Sequence, residues 1–320
     1  MHRRQMLTLS LLTPLALAAC SSTSGESAPA TSTAAGFTYS PAGYDGLTIS
    51  TDSPVERIAM DFYSAAALAP YGIAPVAVFG YGKDDSPGQS FDLTGVEIVG
   101  EDAEIDLEAL AASAPDLIIA YGNEKGDGWT WWEEKVTSQV SELAPFVPVK
   151  LDGGTPDVMF EQYAAVASAL GRDTESGTIS GLREDYEAAR QRLREVAKKQ
   201  DGLTVLLANF SPEINYTAKS LGIAQMLTED GLTLVGPDPV GESAWAEVSW
   251  EKIGEYPSDV LLVHDFSTEY EDNPVYTRLP AVKAGQLGTW DDKRAYTYDG
   301  YAAWIDEITG VLESAQDVTT

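Results

Sequence analysis

Residues 106 to 123, "DLEALAASAPDLIIAYGN", and residues 249 to 266, "SWEKIGEYPSDVLLVHDF", are one pattern written twice, 143 positions apart. Each begins on a residue type that caps helices, Asp106 or Ser249. A glutamate follows two positions on, Glu108 or Glu251, suited to the positive end of a helix dipole. Apolar residues at helical spacing come next, then a proline-containing break ending in Asp116 or Asp259, then an apolar run of strand length. Leu117-Ile118-Ile119-Ala120 and Val260-Leu261-Leu262-Val263 are apolar on both faces, as central strands of a parallel sheet are. A helix, a turn and a buried strand repeated at a constant offset imply two α/β lobes of like construction.

The surrounding sequence fills out both lobes. In the first, "RIAM" (57 to 60) reads as a strand, "SAAALAPYG" as a helix stopped by Gly72, and "PVAVFGYG" (75 to 82) as the next strand and its turn. In the second, "LTVLLANF" (203 to 210) is a strand and "LGIAQMLTEDG" (221 to 231) a helix stopped by Gly231. Between the lobes lie helical segments at 156 to 171 and 175 to 202. The latter carries Leu182, Tyr186, Ala189 and Leu193 at helical spacing and basic residues at its C-terminal end. About 25 residues at 1.5 Å each span roughly 37 Å, enough to carry the chain from one lobe to the other.

At the N-terminus, Arg3-Arg4, an apolar run from Met6 to Ala19 and Leu17-Ala18-Ala19-Cys20 form a basic n-region, a short h-region and a small-residue cleavage site. The apolar run is shorter than the roughly 20 residues that cross a bilayer. Arg3-Arg4 fits either an ordinary basic n-region or a twin-arginine signal. Cys20 is the only cysteine, so no intramolecular disulfide exists, and Leu-Ala-Ala-Cys resembles the lipobox of bacterial lipoproteins, whose cysteine is lipidated and becomes the mature N-terminus. "SSTSGESAPATSTAAG" (21 to 36) is small and polar and reads as a tether. The expected organisation is a leader at 1–19, lipidated Cys20 and tether at 20–36, a first lobe at 37–172, an interlobe helix at 173–201 and a second lobe at 202–320.

With 50 acidic against 20 basic residues the net charge is −30, and two of the basic ones, Arg3 and Arg4, precede Cys20. Such a field disfavours nucleic acid and anionic headgroups as partners.

These residues resemble the substrate-binding lipoproteins of bacterial ABC importers for ferric siderophores and cobalamin-like ligands. The resemblance rests on "PVERIAMDFYSAAALAPYGIAPVAV", "DLEALAASAPDLIIAYG", "YAAVASALG", "VSWEKIGEYPSDVLLV" and "LPAVKAGQLGTW", in that order, together with the lipobox. It implies two Rossmann-like lobes with central parallel sheets, a long rigid helix joining them, a ligand cleft between them, and delivery of ligand by a monomeric protein to an ABC permease and its ATPase. It also implies an extracytoplasmic protein held to the membrane by its lipid anchor alone, with no cofactor of its own. Members usually carry a glutamate in the helix after the first strand that docks on permease arginines; "SAAALAPYG" has none, so no docking residue is carried over.

In open α/β sheets ligands bind outside the carboxyl ends of the strands. That rule selects Tyr121 and Asn123 after one repeat strand, and His264 and Phe266 after its counterpart. Tyr63, Tyr81, Lys83, Phe210, Lys219 and Trp245 are the other candidates at strand ends and loops. The loop before "TWWEE" poses a separate question, because Trp129, Trp131 and Trp132 fall within four positions. Thr130 to Glu133 fits a capping box, which predicts a helix from Trp131 with Trp132 on its buried side. Trp129 and Trp131 then have no core to fill and are expected to contact ligand.

The ligand class follows from charge. A ferric tricatecholate is strongly anionic and calls for arginines, whereas the candidate edges offer aromatics, Lys83, Lys125, Lys219 and His264. A ferric siderophore of the hydroxamate type is expected, with iron held by the chelator and no direct metal ligands from the protein. Cobalamin or haem is the alternative on the same fold. Direct binding of zinc or manganese is disfavoured because His2 and His264 are the only histidines. No nucleophile elbow, phosphate loop or histidine-centred triad supports an enzyme, a glycoside hydrolase being the residual possibility. The absence of tandem repeats counts against a surface adhesin.

Overall fold

The structure is a computed structural model that describes residues 36–319 apart from 152, 242 and 265–267. The leader, Cys20 and Phe266 therefore lie outside the described residues. A short antiparallel ladder, β1 (Thr38–Tyr39) with β2 (Ile49–Ser50), opens the chain. The first lobe is then built on β3 (Ile58–Asp61), β4 (Ala77–Phe79), β5 (Glu97–Ile98), β6 (Leu117–Tyr121) and β7 (Phe146–Val149). They form one parallel sheet in the order β5-β4-β3-β6-β7. Helices α1 (Phe62–Leu68), α2 (Ser86–Gln89), α3 (Leu107–Ser113) and α4 (Glu134–Ser141) connect its strands. The sheet grows outward on both sides of β3, so the switch point of the topology lies between β3 and β6, where a ligand crevice is expected.

Helix α5 (Pro156–Ala169) and the long α6 (Gly177–Lys199) lead to the second lobe. Its sheet comprises β8 (Thr204–Asn209), β9 (Asn215–Thr217), β10 (Thr233–Leu234), β11 (Ala246–Val248), β12 (Val260–His264) and β13 (Leu287–Trp290). The order is β11-β9-β8-β12-β13, with β10 also on β8. β8, β10, β12 and β13 are parallel, and β9 runs antiparallel to both of its neighbours, β8 and β11. Helices α7 (Gly222–Glu229), α8 (Pro280–Ala284) and α9 (Tyr298–Ser314) complete it, α9 lying along α6.

The sequence repeat is a structural repeat. β6 and β12 begin and end at corresponding positions, and each is central in its sheet and buried throughout. The repeated aspartate has the same task in both lobes. Asp116 Oδ2 accepts from the amides of Glu56 and Arg57, at the start of β3, both at 2.9 Å. Asp259 Oδ2 accepts from the amide and hydroxyl of Thr204, at the start of β8, both at 2.8 Å. Each carboxylate thus fastens its own strand to the neighbouring one. The helices before them differ. Asp106 caps α3 through the amides of Glu108 and Ala109, but its counterpart is only a 3₁₀ turn, Ile253–Glu255. Gly254 and Pro257 account for the shortening, and Trp250, in the turn before it, stacks on Phe210 at 5.2 Å.

The helix expected from Trp131 begins instead at Glu134, with no side-chain cap. The Thr130 amide donates to Tyr121 O at 2.9 Å and the Trp132 amide to Trp129 O at 3.0 Å, so residues 129 to 132 fold back along β6 as a turn. A tertiary anchor on Trp129, described next, outcompetes the local capping preference.

Candidate functional site

At the end of β3, Asp61 is wholly buried. Its Oδ1 caps α1 through the Ser64 amide at 2.8 Å. Its Oδ2 accepts from the Tyr121 amide at 2.9 Å and from the Trp129 indole Nε1 at 3.0 Å. Burial raises the Asp61 carboxyl above its ordinary pKa, and these donors act in the opposite direction by favouring the anion. One carboxylate therefore holds the helix, the strand end and the loop that bound the cleft. Trp129 itself is 0% exposed and meets Phe79 edge-on at 5.6 Å. Gly80 makes room for it, since a Cβ there would come within 2.6 Å of the indole, and its φ of 90° suits glycine in any case. Trp129 does have a core to fill and does not face the cleft, contrary to the sequence expectation. Trp132 is buried as expected, stacked on Phe79 at 4.9 Å.

Trp131 is the indole left outside, 40% exposed and backed by Trp129 at 4.8 Å. It meets Tyr81 edge-on at 5.4 Å and Tyr121 at 6.2 Å, and Tyr121 stacks on Tyr63 at 5.0 Å. Tyr63, Tyr121, Trp131 and Tyr81 thus form a continuous aromatic panel on the first lobe. It lines a cavity of about 270 Å³ with Leu151, and Asp292 and Lys293 close it from the second lobe. A second hollow of about 570 Å³ shares Trp131 and Leu151 and adds Tyr44, Asn123, Glu124 and Lys150. Asn123 organises the loop around it: its Oδ1 accepts from the Gly126 amide at 2.9 Å and its Nδ2 donates to Asp127 at 2.8 Å. No arginine lines either hollow among the described residues.

On the second lobe, buried His264 contacts Asp292 Oδ1 through Nε2 at 2.7 Å. Trp245, half-buried, lies 5.5 Å from Trp290 and 6.4 Å from His264. Lys293 reaches across to Asp85 of the first lobe at 3.3 Å. His264, Asp291 and Asp292 bring three potential ligand atoms within 4.8 Å of one another, but the imidazole and Asp292 are already hydrogen-bonded to each other.

The structure therefore gathers Tyr63, Tyr81, Tyr121 and Trp131 at one cavity, with Asn123 beside it and His264 and Trp245 behind its second-lobe wall. It takes Phe210 into the core between Trp250 and Tyr276, away from the cleft. Lys83 is paired with Glu101 at 2.7 Å and Lys219 with Asp238 at 2.8 Å, and neither lines the cavity. Asp292, Lys293, Leu151 and Asp85 were not among the sequence candidates. The signal for the first two was available, since "DDK" leaves β13 at the same sheet edge that selected Tyr121 and His264.

Two α/β lobes, parallel strands ending at a shared aromatic cavity and a helix joining them define a two-lobed solute-binding protein. Comparison with known proteins gives the family: the periplasmic binding protein family matches residues 72–294, and the chain belongs to it. The Fe(3+)-citrate-binding protein YfmC of Bacillus subtilis is 24% identical over 252 residues, 76% of this chain and 75% of its own length. Among solved structures, the ferric-siderophore receptor DesE of Streptomyces coelicolor superposes with a TM-score of 0.79 at 24% identity, covering 88% of this chain and 99% of that one. FhuD2 of Staphylococcus aureus with bound ferrioxamine B gives 0.60 at 21%, covering 81% and 98%. SirA of Staphylococcus aureus complexed with staphyloferrin B gives 0.62 at 19%, covering 87% and 99%. No helix among the described residues is long and apolar enough to cross a membrane.

Proposed function

We propose that the protein captures a ferric siderophore of the hydroxamate type in the interlobe cavity and delivers it to an ABC permease and its ATPase. The observation that carries this reading is the panel of Tyr63, Tyr121, Trp131 and Tyr81 in a cavity lined by no arginine among the described residues. A ferric trihydroxamate is neutral at its metal centre and apolar at its rim, so it gains from aromatic surface and needs no compensating cations. A tricatecholate or citrate complex is anionic and would be opposed by Asp292, by the shortage of cations and by the acidic protein as a whole. The ligand names of YfmC and FhuD2 support a ferric chelate as cargo. Leu17-Ala18-Ala19-Cys20 supports attachment by a lipid on Cys20 to the outer face of the cell membrane. The protein acts as a monomer, with no cofactor beyond its cargo.

Fluorescence of the chain from Ser21 onward, titrated with a ferric trihydroxamate, a ferric tricatecholate, ferric citrate, cobalamin and haem and corrected for ligand absorbance, tests the ligand class. Saturable quenching by the trihydroxamate alone, weakened at least tenfold by Trp131→Ala, is the expected result. Preference for any other ligand overturns the charge argument.

A further inference from the structure

We infer that the cleft discriminates among ferric hydroxamate complexes by charge, selecting those that carry a protonated amine and seating that ammonium group at Asp292. The inference rests on the hydroxamate reading and adds a feature that reading does not contain.

Among the described residues, the charged side chains lining the cavity are Asp292 and Lys293. Their charges do not simply cancel, because Lys293 is drawn to Asp85 across the cleft at 3.3 Å. Asp291 adds a buried carboxylate next in sequence. Asp292 remains about one-third exposed, with Oδ1 held by His264 Nε2 at 2.7 Å. That contact fixes the carboxylate's orientation on a buried support.

The field at the opposite wall agrees. Burial raises the phenol of Tyr63 well above its usual pKa, and Asp292, Asp61, Asp85 and Asp291 raise it further. Four carboxylates thus act on one phenol that faces the cavity. A cation entering there meets a negative potential and the π-faces of Tyr63, Tyr121 and Trp131, both of which attract an ammonium group. An anionic substituent meets the same groups with the opposite sign.

Three ligands with one iron-binding core separate charge from shape: ferrioxamine B with its free ammonium, its neutral N-acetyl derivative, and its anionic N-succinyl derivative. Dissociation constants are measured for each at low and high salt, on wild type, Asp292→Asn and Lys293→Gln, with circular dichroism to confirm folding. The expected order of affinity in wild type is cation, neutral, anion, with a gap of about tenfold between the first two at low salt that narrows at high salt. Asp292→Asn closes that gap, while Lys293→Gln widens it. Equal binding of all three by wild type overturns the charge selection and leaves the hydroxamate reading intact. An anion-first order also overturns it and transfers the role to Lys293. Absence of binding by all three overturns the hydroxamate reading and this inference with it. Because wild type alone supplies the order of affinities, a misfolded variant does not remove the test.

Discussion

Trp129 and Trp131 stand two residues apart in one loop, and their burial assigns them opposite consequences. Trp129 donates to a buried carboxylate and supports the panel from behind, whereas Trp131 is part of the panel surface. Trp129→Ala opens a void beside Phe79 and strips Asp61 of a donor, so a loss of about 3–5 kcal/mol in urea unfolding is expected. Trp131→Ala removes a part-exposed ring, so unfolding changes by less than about 1 kcal/mol while ligand affinity falls. Similar stability losses in the two variants would contradict the division. Asp259 makes a prediction of a different kind. Burial alone would raise its pKa, but bonds from the Thr204 amide and hydroxyl and the Val318 amide prevail and hold it below the ordinary carboxylate value. A depressed folded-state pKa contributes stability that is present above the unfolded value near 3.9 and is lost as pH falls through the folded one. Asp259→Asn is therefore less stable than wild type at neutral pH, and the difference shrinks from about pH 4 downward. Urea midpoints across pH 3 to 7 measure it, and a constant difference would mean that ionisation of Asp259 is not involved.

The helix joining the lobes carries its own clamp. Arg190, buried in the middle of α6, donates Nε and Nη2 to the two oxygens of Asp230 at 2.7 and 2.8 Å, and also contacts Asp157. Asp230 follows α7 in the second lobe and Asp157 lies in the first turn of α5. Arg194 adds a bond to Asp230 at 2.8 Å. Removing Arg190 leaves the buried Asp230 carboxylate with Arg194 as its one remaining cation among the described residues, so Arg190→Met is expected to cost about 3 kcal/mol, whereas Arg190→Met with Asp230→Leu recovers much of the loss. A double variant no more stable than the single one would show that packing, and not the stranded charge, sets the cost. The helices and strands that present this clamp were legible in the sequence because each depends on local periodicity and stop signals. Helix α6 is the segment 175 to 202 less two residues at its start and three at its end, and the two repeat strands lie where the apolar runs put them. The site was legible only in part. Tyr121 follows from the strand-end rule, Tyr63 from its place after a strand and Trp131 from the lack of a core for it to fill, but the Asp61–Trp129 bond joins residues 68 apart, and no local pattern announces that it will override a capping box. The same limit hid Asp85, whose contact with Lys293 spans 208 residues.

Across the whole molecule the two lobes are tied by more than a linker. Phe160 of α5 packs against Tyr186 of α6 and against Tyr298 and Tyr301 of α9, with ring centroids 4.5 to 5.5 Å apart. The first-lobe side of the chain thus contributes to the second-lobe core, and Lys293–Asp85 adds a contact at the cleft itself. A structure joined by a buried aromatic cluster and a buried ion network has little reason to open like a hinge with a bare loop as pivot. The same coupling predicts that the lobes unfold together. Far-ultraviolet circular dichroism, which reports helices in both lobes, and tryptophan fluorescence, from indoles in both lobes, are expected to give coincident denaturant midpoints in wild type. Phe160→Ala weakens the shared core, so the single transition should split in two, with one lobe losing structure at lower denaturant than the other. At saturation with cargo at about 100 times its dissociation constant, linkage adds about 2.7 kcal/mol to the wild-type unfolding free energy. Because the cavity takes its walls from both lobes, only the state with both folded binds fully. Ligand should therefore raise both transitions of Phe160→Ala and bring them closer together, whereas a rise in only one of the two transitions would show that a single lobe holds the ligand.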